Sequence, residues 1–345
     1  MRVAVVTSDV PYVEGGHRVI ARALLRALRE AGHTADIVRT PQNRFGRQLS
    51  AYLATWLTDV GVGGDGAPVD RVISLRFPSY AVRHPSHVVW LNHRMREYYD
   101  LWDDFRVDLG GRARIVEGTR RRLLHTIDGR LLRRRTVMVQ SRTIQERLRR
   151  WGGIPSEVLY PPAPQRPYRC DGYSGAILVV GRLTKLKRVE LLLRAAAAGG
   201  GDWQLRVAGE GEERERLLGL TRELGLENRV SFLGELDEEQ LVREYATCAA
   251  VYFGARAEDY GLVTLEAFSS AKAVITCRDS GGPAELVEEG VTGFVVEPDP
   301  DAVAAALSRI GDEAGLAQRL GAAAAGVAAE HNWPAAVERL LTVKC

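Results

Sequence analysis

The sequence predicts an α/β fold made of two doubly wound, parallel-sheet domains. Short β-branched runs alternate with amphipathic stretches at helical spacing, the pattern of a parallel sheet with helices on both faces. The chain is 345 residues long, more than one core ordinarily spans, so two domains of about 150 residues each are expected. Midway, the run Tyr160-Pro161-Pro162-Ala163-Pro164 interrupts the alternation, because repeated prolines fix φ and remove backbone donors.

In the first half the strand candidates are Val3–Thr7, Ala35–Val38, Arg71–Leu75, His87–Leu91 and Val137–Gln140. An amphipathic helix from Val19 to Ala31 closes on Gly32. After the proline run the alternation restarts with Ala176–Val180, Gln204–Ala208, Arg229–Leu233, Ala250–Phe253, Ala273–Thr276 and Gly293–Val296. A last helix, Trp333 to Leu341, follows an alanine-rich one and is short enough to cross back onto the first domain. The expected organisation is therefore residues 1–164, 165–330 and a returning segment 331–345. Open α/β sheets bind ligands at the carboxyl ends of their strands, so the chemistry is expected in a cleft where the two sheets face each other.

Composition narrows the class. Hydrophobic residues make up 46% and charged residues 26%, and no run of 18 or more apolar residues is free of charge, so no membrane-spanning helix is expected. The opening Met1-Arg2-Val3-Ala4-Val5-Val6 meets Ser8-Asp9 too soon for a secretion signal and reads as a first strand. Cysteines 170, 248, 277 and 345 form no C-x-x-C pair, which disfavours a metal knuckle or disulfide framework and fits a reducing cytoplasm. Charge is uneven: residues 1–165 hold 27 Lys and Arg against 16 Asp and Glu, whereas residues 166–330 hold 18 against 27. Between Arg106 and Arg150 there are 14 arginines and four acids. That stretch is either a solvated helix face or a patch for an anionic acceptor or a membrane surface, the latter a peripheral contact on the inner face. No aromatic interleaving or known module accompanies it, so nucleic acid is disfavoured as a partner.

The candidate site residues lie where strands give way to helices. Gly15-Gly16 sits between the first strand and helix, where it serves either an anion at a helix N-terminus or a turn of positive φ. Gly209-Glu210-Gly211 lacks the third glycine of a dinucleotide fingerprint and carries acids that repel pyrophosphate, which disfavours an oxidoreductase. In Gly181-Arg182-Leu183-Thr184-Lys185-Leu186-Lys187 two cations flank a helix start near Val189, and together they suit a diphosphate leaving group. In Glu258-Asp259-Tyr260-Gly261-Leu262-Val263-Thr264-Leu265-Glu266 the two glutamates straddle a loop-to-helix junction. Glu258 suits sugar hydroxyls, Glu266 a ribose diol, and the amides of Gly261 to Val263 a phosphate. Gly281-Gly282-Pro283-Ala284-Glu285 is a further strand–glycine–helix junction, its glycines allowing close ligand approach and Glu285 either facing the ligand or capping its helix. Asp299-Pro300-Asp301 imitates a metal-binding D-x-D but reads as a helix start with Asp301 as N-cap.

Taken in order, Gly181-Arg182 through Lys187, the glutamates 258 and 266, and the Gly281–Glu285 run resemble the retaining glycosyltransferases of family four. The resemblance spans essentially the whole chain, including Gly15-Gly16 and the helix ending Ala31-Gly32-His33. It implies the GT-B architecture of two Rossmann-like domains facing a cleft, a nucleotide diphosphate sugar donor, and a hydroxyl acceptor. It further implies hexose-type transfer with retained anomeric configuration, without metal or cofactor. By the resemblance Arg182 and Lys187 bind the diphosphate, Glu266 the ribose and Glu258 the donor sugar. His93, in Trp90-Leu91-Asn92-His93-Arg94, matches the histidine that approaches the sugar from the first domain. Arg182, Lys187, His93 and Glu258 are thus the expected catalytic group. Gly15, Gly16, Gly261, Leu262, Val263, Glu266, Gly282 and Glu285 complete the donor-binding set. Arg188 stands where many relatives have glycine. The alternatives are a nucleotide-sugar epimerase of the same architecture and a non-catalytic nucleotide-sugar-binding protein.

Overall fold

The computed structural model describes residues 1–9, 15–42, 45–173, 175–199 and 202–344. It separates into two compact units, Met1–Pro161 with Trp333–Cys345, and Pro162–Asn332.

The first unit runs β1 (Arg2–Asp9), α1 (Gly16–Glu30), β2 (Thr34–Pro41), α2 (Gln48–Leu57), β3 (Arg71–Ser74) and β4 (His87–Leu91). It continues with α3 (Trp102–Val107), α4 (Gly111–Leu132), β5 (Thr136–Val139), α5 (Arg142–Arg150) and β6 (Glu157–Val158). Its six strands are all parallel, in the order β2-β1-β3-β4-β5-β6. A sheet covered on both faces needs strands that are apolar on both sides, and Val5, Val6, Ile73, Val89 and Leu91 are fully buried. The strand order reverses between β1 and β3, which opens a crevice at their carboxyl ends.

The second unit runs β7 (Ala176–Val180), α6 (Val189–Ala197), β8 (Gln204–Ala208), α7 (Arg214–Glu223), β9 (Val230–Gly234) and α8 (Glu238–Thr247). It continues with β10 (Ala250–Tyr252), α9 (Leu262–Ser269), β11 (Ala273–Cys277), α10 (Gly282–Leu286), β12 (Gly293–Val296), α11 (Pro300–Asp312) and α12 (Leu316–Glu330). The order β12-β11-β10-β7-β8-β9, again all parallel, places the switch between β7 and β10. The last helix, α13 (Trp333–Thr342), belongs to the first unit. There Trp333 packs edge-on against Trp90 with ring centroids 6.2 Å apart, and Arg339 pairs with Glu157 at 2.6 Å.

Several strands begin or end a residue or more away from the expected bounds, as β1, β2, β5 and β9 do, and two helix starts differ as well. Helix α1 begins at Gly16 rather than Val19, with Gly15 as its N-cap, so His17 and Arg18 lie in its first turn. Helix α11 begins at Pro300, and its cap is Asp299 rather than Asp301. The Asp299 carboxylate accepts the Ala302 N–H at 3.0 Å, and proline suits the N1 position because its missing donor would be unpaired there anyway.

Candidate functional site

The chain leaving β7 stays bound to the loop after β8. Gly181 N–H donates to Ala208 O at 3.0 Å, Leu183 N–H to Glu210 O at 2.9 Å, and Glu213 N–H back to Leu183 O at 3.1 Å. This close apposition accounts for both glycines of Gly209-Glu210-Gly211. A Cβ at Gly209 would stand 2.1 Å from Gly181 O, and one at Gly211 2.2 Å from Leu183 O. The pair thus serves close backbone packing against the loop that follows β7, a purpose the missing third glycine did not reveal.

A single 3-10 turn, Lys185–Lys187, then lifts Lys187 to the switch point. Its Nζ lies 2.8 Å from Glu258 Oε2 and 4.8 Å from the centre of the Phe253 ring, and both charged side chains remain about a quarter exposed. Arg182 is more open, with 62% of its side chain exposed and, among the described residues, only Glu212 within ion-pair reach, at 3.7 Å. Arg188 explains why a glycine suits the next position: it sits in the left-handed region at φ 50°. Its guanidinium offsets that strain by a two-pronged pairing with Asp279, at 2.9 and 2.6 Å, and by donating to Gly254 O at 2.6 Å.

Glu258 is fixed by its backbone. Its N–H donates to Ser280 O at 2.7 Å and its carbonyl accepts from Gly282 N–H at 3.1 Å, so the loops after β10 and β11 are stitched together. Gly261, at φ 77°, caps α9, and a Cβ there would come within 2.5 Å of Pro283. At Gly282 a Cβ would meet the Tyr260 backbone at 2.5 Å, so this glycine, too, answers packing within the protein. Leu262 and Val263 occupy the first turn of α9, where amides have no intrahelical partner and no acid opposes an anion. Glu285 does not cap α10; the cap is Gly281, and Glu285 lies inside the helix, half-buried.

Glu266 lies one turn into α9 and is buried. Its Oε1 accepts from the Arg166 guanidinium and, at 3.3 Å, from the Tyr168 hydroxyl, and its Oε2 accepts from Tyr245 at 2.8 Å. The negative charge and burial push the Tyr168 and Tyr245 phenols well above their ordinary range, burial being the larger cause. Sequence reasoning missed this set. Arg166 and Tyr168 follow the proline run, 100 and 98 residues from Glu266, and nothing local marks them. Only the inward spacing of Val242, Tyr245 and Ala246 on α8 signals that Tyr245 is internal.

The remaining predicted residues belong to the first unit, at the carboxyl ends of β1 and β4. Gly15 is extended at φ −164°, and a Cβ on Gly16 would meet nothing within 4 Å, so neither is required by a turn of positive φ. His93 follows β4 with its Nδ1 2.7 Å from Arg94 O. Since a carbonyl only accepts, Nδ1 carries the proton and Nε2 is left as an acceptor. Burial, then the nearby Arg76 charge, lowers the His93 imidazole to about 3, so it is neutral at physiological pH. His17, in the first turn of α1, is lowered to about 3 by the same two causes. Nothing in the residues around His17 singles it out.

Residues 171–327 match the family model described as glycosyl transferases group 1. That stretch, a little under half of the chain, carries the likeness to this family. A D-inositol 3-phosphate glycosyltransferase of Corynebacterium diphtheriae is 35% identical over 202 residues, covering 54% of this chain and 47% of the relative. The chain thus spans about half the length of the curated relatives it matches. Among solved structures, sucrose-phosphate synthase from Thermosynechococcus elongatus superposes with a TM-score of 0.75 at 21% identity, over 98% of this chain and 97% of that one. Anabaena HepE, solved in complex with UDP and glucose, gives 0.69 at 18% identity over 98% of both chains. These likenesses show that the chain has the GT-B fold.

Proposed function

We propose that this chain transfers a hexose-type sugar from a nucleotide diphosphate donor to a hydroxyl acceptor, with retention and without a metal ion. The observation that carries it is Lys187, placed at the β7/β10 switch point beside Glu258 and near the orphan amides that open α9. Breaking the bond between the anomeric carbon and the diphosphate leaves negative charge on phosphate and an oxocarbenium-like sugar. An ammonium has three donors, so Lys187 keeps Glu258 with one and offers the others to phosphate oxygens. Glu258 retains lone pairs for sugar hydroxyls, and Arg182, exposed in the same loop, is free to close on the diphosphate. His93 Nε2 is proposed to accept from a sugar hydroxyl. In a front-face displacement the departing phosphate takes the acceptor's proton, and no protein base is needed. A nucleotide donor is supported by the family match and by the UDP-bound HepE neighbour.

The test is a thermal-shift screen of nucleoside diphosphate sugars, followed by product NMR with the stabilising donor and a panel of hydroxyl acceptors. Retained anomeric configuration and full activity in EDTA are expected. An inverted anomer, or activity lost to EDTA and restored by manganese or magnesium, overturns the mechanism. Turnover of donor without any acceptor assigns an epimerase instead. Glu266→Ala is expected to weaken nucleotide diphosphate binding by about 1.5–3 kcal/mol in calorimetry, the loss of a charged acceptor. Unchanged affinity in a folded variant removes the ribose from Glu266.

A further inference from the structure

We propose that the α2–α4 surface of the first unit docks on an anionic lipid bilayer. Helix α2 is built inside out. Its buried positions are Gln48, Ala51, Tyr52 and Thr55, two of them polar, and Gln48 reaches the Tyr98 hydroxyl at 3.4 Å. Its outward positions are large and apolar: Leu49, Leu53, Trp56 and Leu57 are 48%, 57%, 43% and 60% exposed. At 3.6 residues per turn these four fall within an arc of about 100°, the width of a stripe that a surface helix ordinarily turns to the core.

The stripe continues onto α4. Leu49 and Leu123 line one cavity of about 220 Å³ together with Arg47 and Arg120. Helix α4 also exposes Ile115, and it carries Arg112, Arg114, Arg122 and Arg130 on exposed positions. Its only two acids, Glu117 and Asp128, face inward. Glu117 is held by Tyr98 and Arg120, and Asp128 by Tyr52, Tyr80 and Tyr99, so neither neutralises the outer surface. Residues 45–58 contain no acid at all, and the Arg83 guanidinium lies 4.3 Å over the Trp56 ring.

Exposed leucines and tryptophan edged by arginines complement a surface that is apolar beneath and anionic on top. A second copy would bring the same arginines against themselves across a two-fold axis, and a nucleic acid would leave the leucines in water. The contact is peripheral: among the described residues no helix is long and apolar enough to cross a membrane. The inference does not depend on the donor chemistry.

Vesicle flotation tests it with the full chain, using phosphatidylcholine alone and phosphatidylcholine with about 30% phosphatidylglycerol. The chain is expected to float with the anionic vesicles only, and less as salt rises. Leu53→Gln with Trp56→Gln is expected to lower the affinity about tenfold or more by removing the inserted area. Arg122→Gln with Arg130→Gln is expected to lower it about 25-fold, roughly fivefold per cation. Both pairs are on exposed positions, and unchanged circular dichroism verifies folding. Failure to float, equal binding to neutral vesicles, or binding unaffected by the Leu53/Trp56 pair overturns the proposal. So does a dimer in size-exclusion chromatography that the same pair converts to monomer without any vesicle binding.

Discussion

Removing Arg166 should strand a buried charge. The Arg166 and Glu266 side chains are only 10% and 6% exposed, and the guanidinium donates directly to Oε1. Breaking a buried pair by truncating one partner costs about 3–5 kcal/mol, because the remaining charge has lost both its counterion and its water. Tyr245 at 2.8 Å and Tyr168 at 3.3 Å stay in place and keep part of the carboxylate solvated, which puts Arg166→Ala near the lower end, about 3 kcal/mol. The second partner of Arg166, Glu238, has a side chain 78% exposed and adds little. Glu266→Gln keeps the shape and removes the charge, so the double variant should recover much of the loss, with a coupling of about 2 kcal/mol. Hydrogen exchange of peptides from α8 and α9, in a regime that reports local opening free energies, reads the cycle within the second unit. Additive single-variant effects would refute the stranded-charge account, and an Arg166→Ala variant as protected as the parent would show that the pair contributes nothing net.

Other perturbations follow from the same geometry. On the proposed function, Lys187→Ala should lower turnover at saturating donor by about 10²–10³ while changing donor affinity much less, since the proposed contact would strengthen as charge develops on phosphate; equal losses in affinity and turnover contradict this. Arg188→Gly should be more stable than Arg188→Ala by about 1 kcal/mol in denaturant melts, because both lose the Asp279 pairing but only alanine keeps the left-handed strain; equal stability would deny the strain. Burial holds the His87 imidazole at about 3, below its ordinary 6.5, so its contribution is complete above 6.5 and is lost as pH falls toward 3. At pH 5 that is about 2 kcal/mol, and His87→Gln should flatten the acid limb of the first unit's stability; parallel pH curves for parent and variant would rule it out.

Where the sequence was legible, the reason is burial on both faces. His87–Leu91, Ala176–Val180, Gln204–Ala208 and Gly293–Val296 are strands at the predicted bounds, because a parallel strand under two helix layers must be apolar nearly throughout. The two-residue β6 has no such run; it is an edge strand paired only with β5 and was not seen. Helix α1 started earlier than its apolar periodicity, since Gly15 and Gly16 carry no side chain to report a period. Helix α2 was not expected from the sequence, and its apolar residues would have misdirected any reading of its faces: Leu49, Leu53, Trp56 and Leu57 are exposed, whereas Gln48, Ala51, Tyr52 and Thr55 are buried and Gln48 reaches the Tyr98 hydroxyl. In the site, Lys187 and the glutamates were visible because they fall at strand–helix junctions. The donors that share Glu266 were not, because they come from distant segments and no period links them.

That sharing constrains how a nucleotide can use Glu266. A carboxylate offers about four lone-pair positions, two on each oxygen. Arg166 and Tyr168 occupy both positions on Oε1, and Tyr245 occupies one on Oε2, which leaves one. A ribose diol that binds through both hydroxyls needs two. One existing donor must therefore yield, and the contacts are unequal: the Arg166 contact is charge-assisted and Tyr245 lies at 2.8 Å, whereas Tyr168 reaches only to 3.3 Å and also sits 3.3 Å from Arg166. The Tyr168 hydroxyl is the one whose displacement costs least, since it can keep its contact with Arg166. On the proposed function, then, donor binding exchanges the weakest of three internal hydrogen bonds for a sugar hydroxyl and leaves the ion pair intact, so the carboxylate remains compensated with or without the nucleotide.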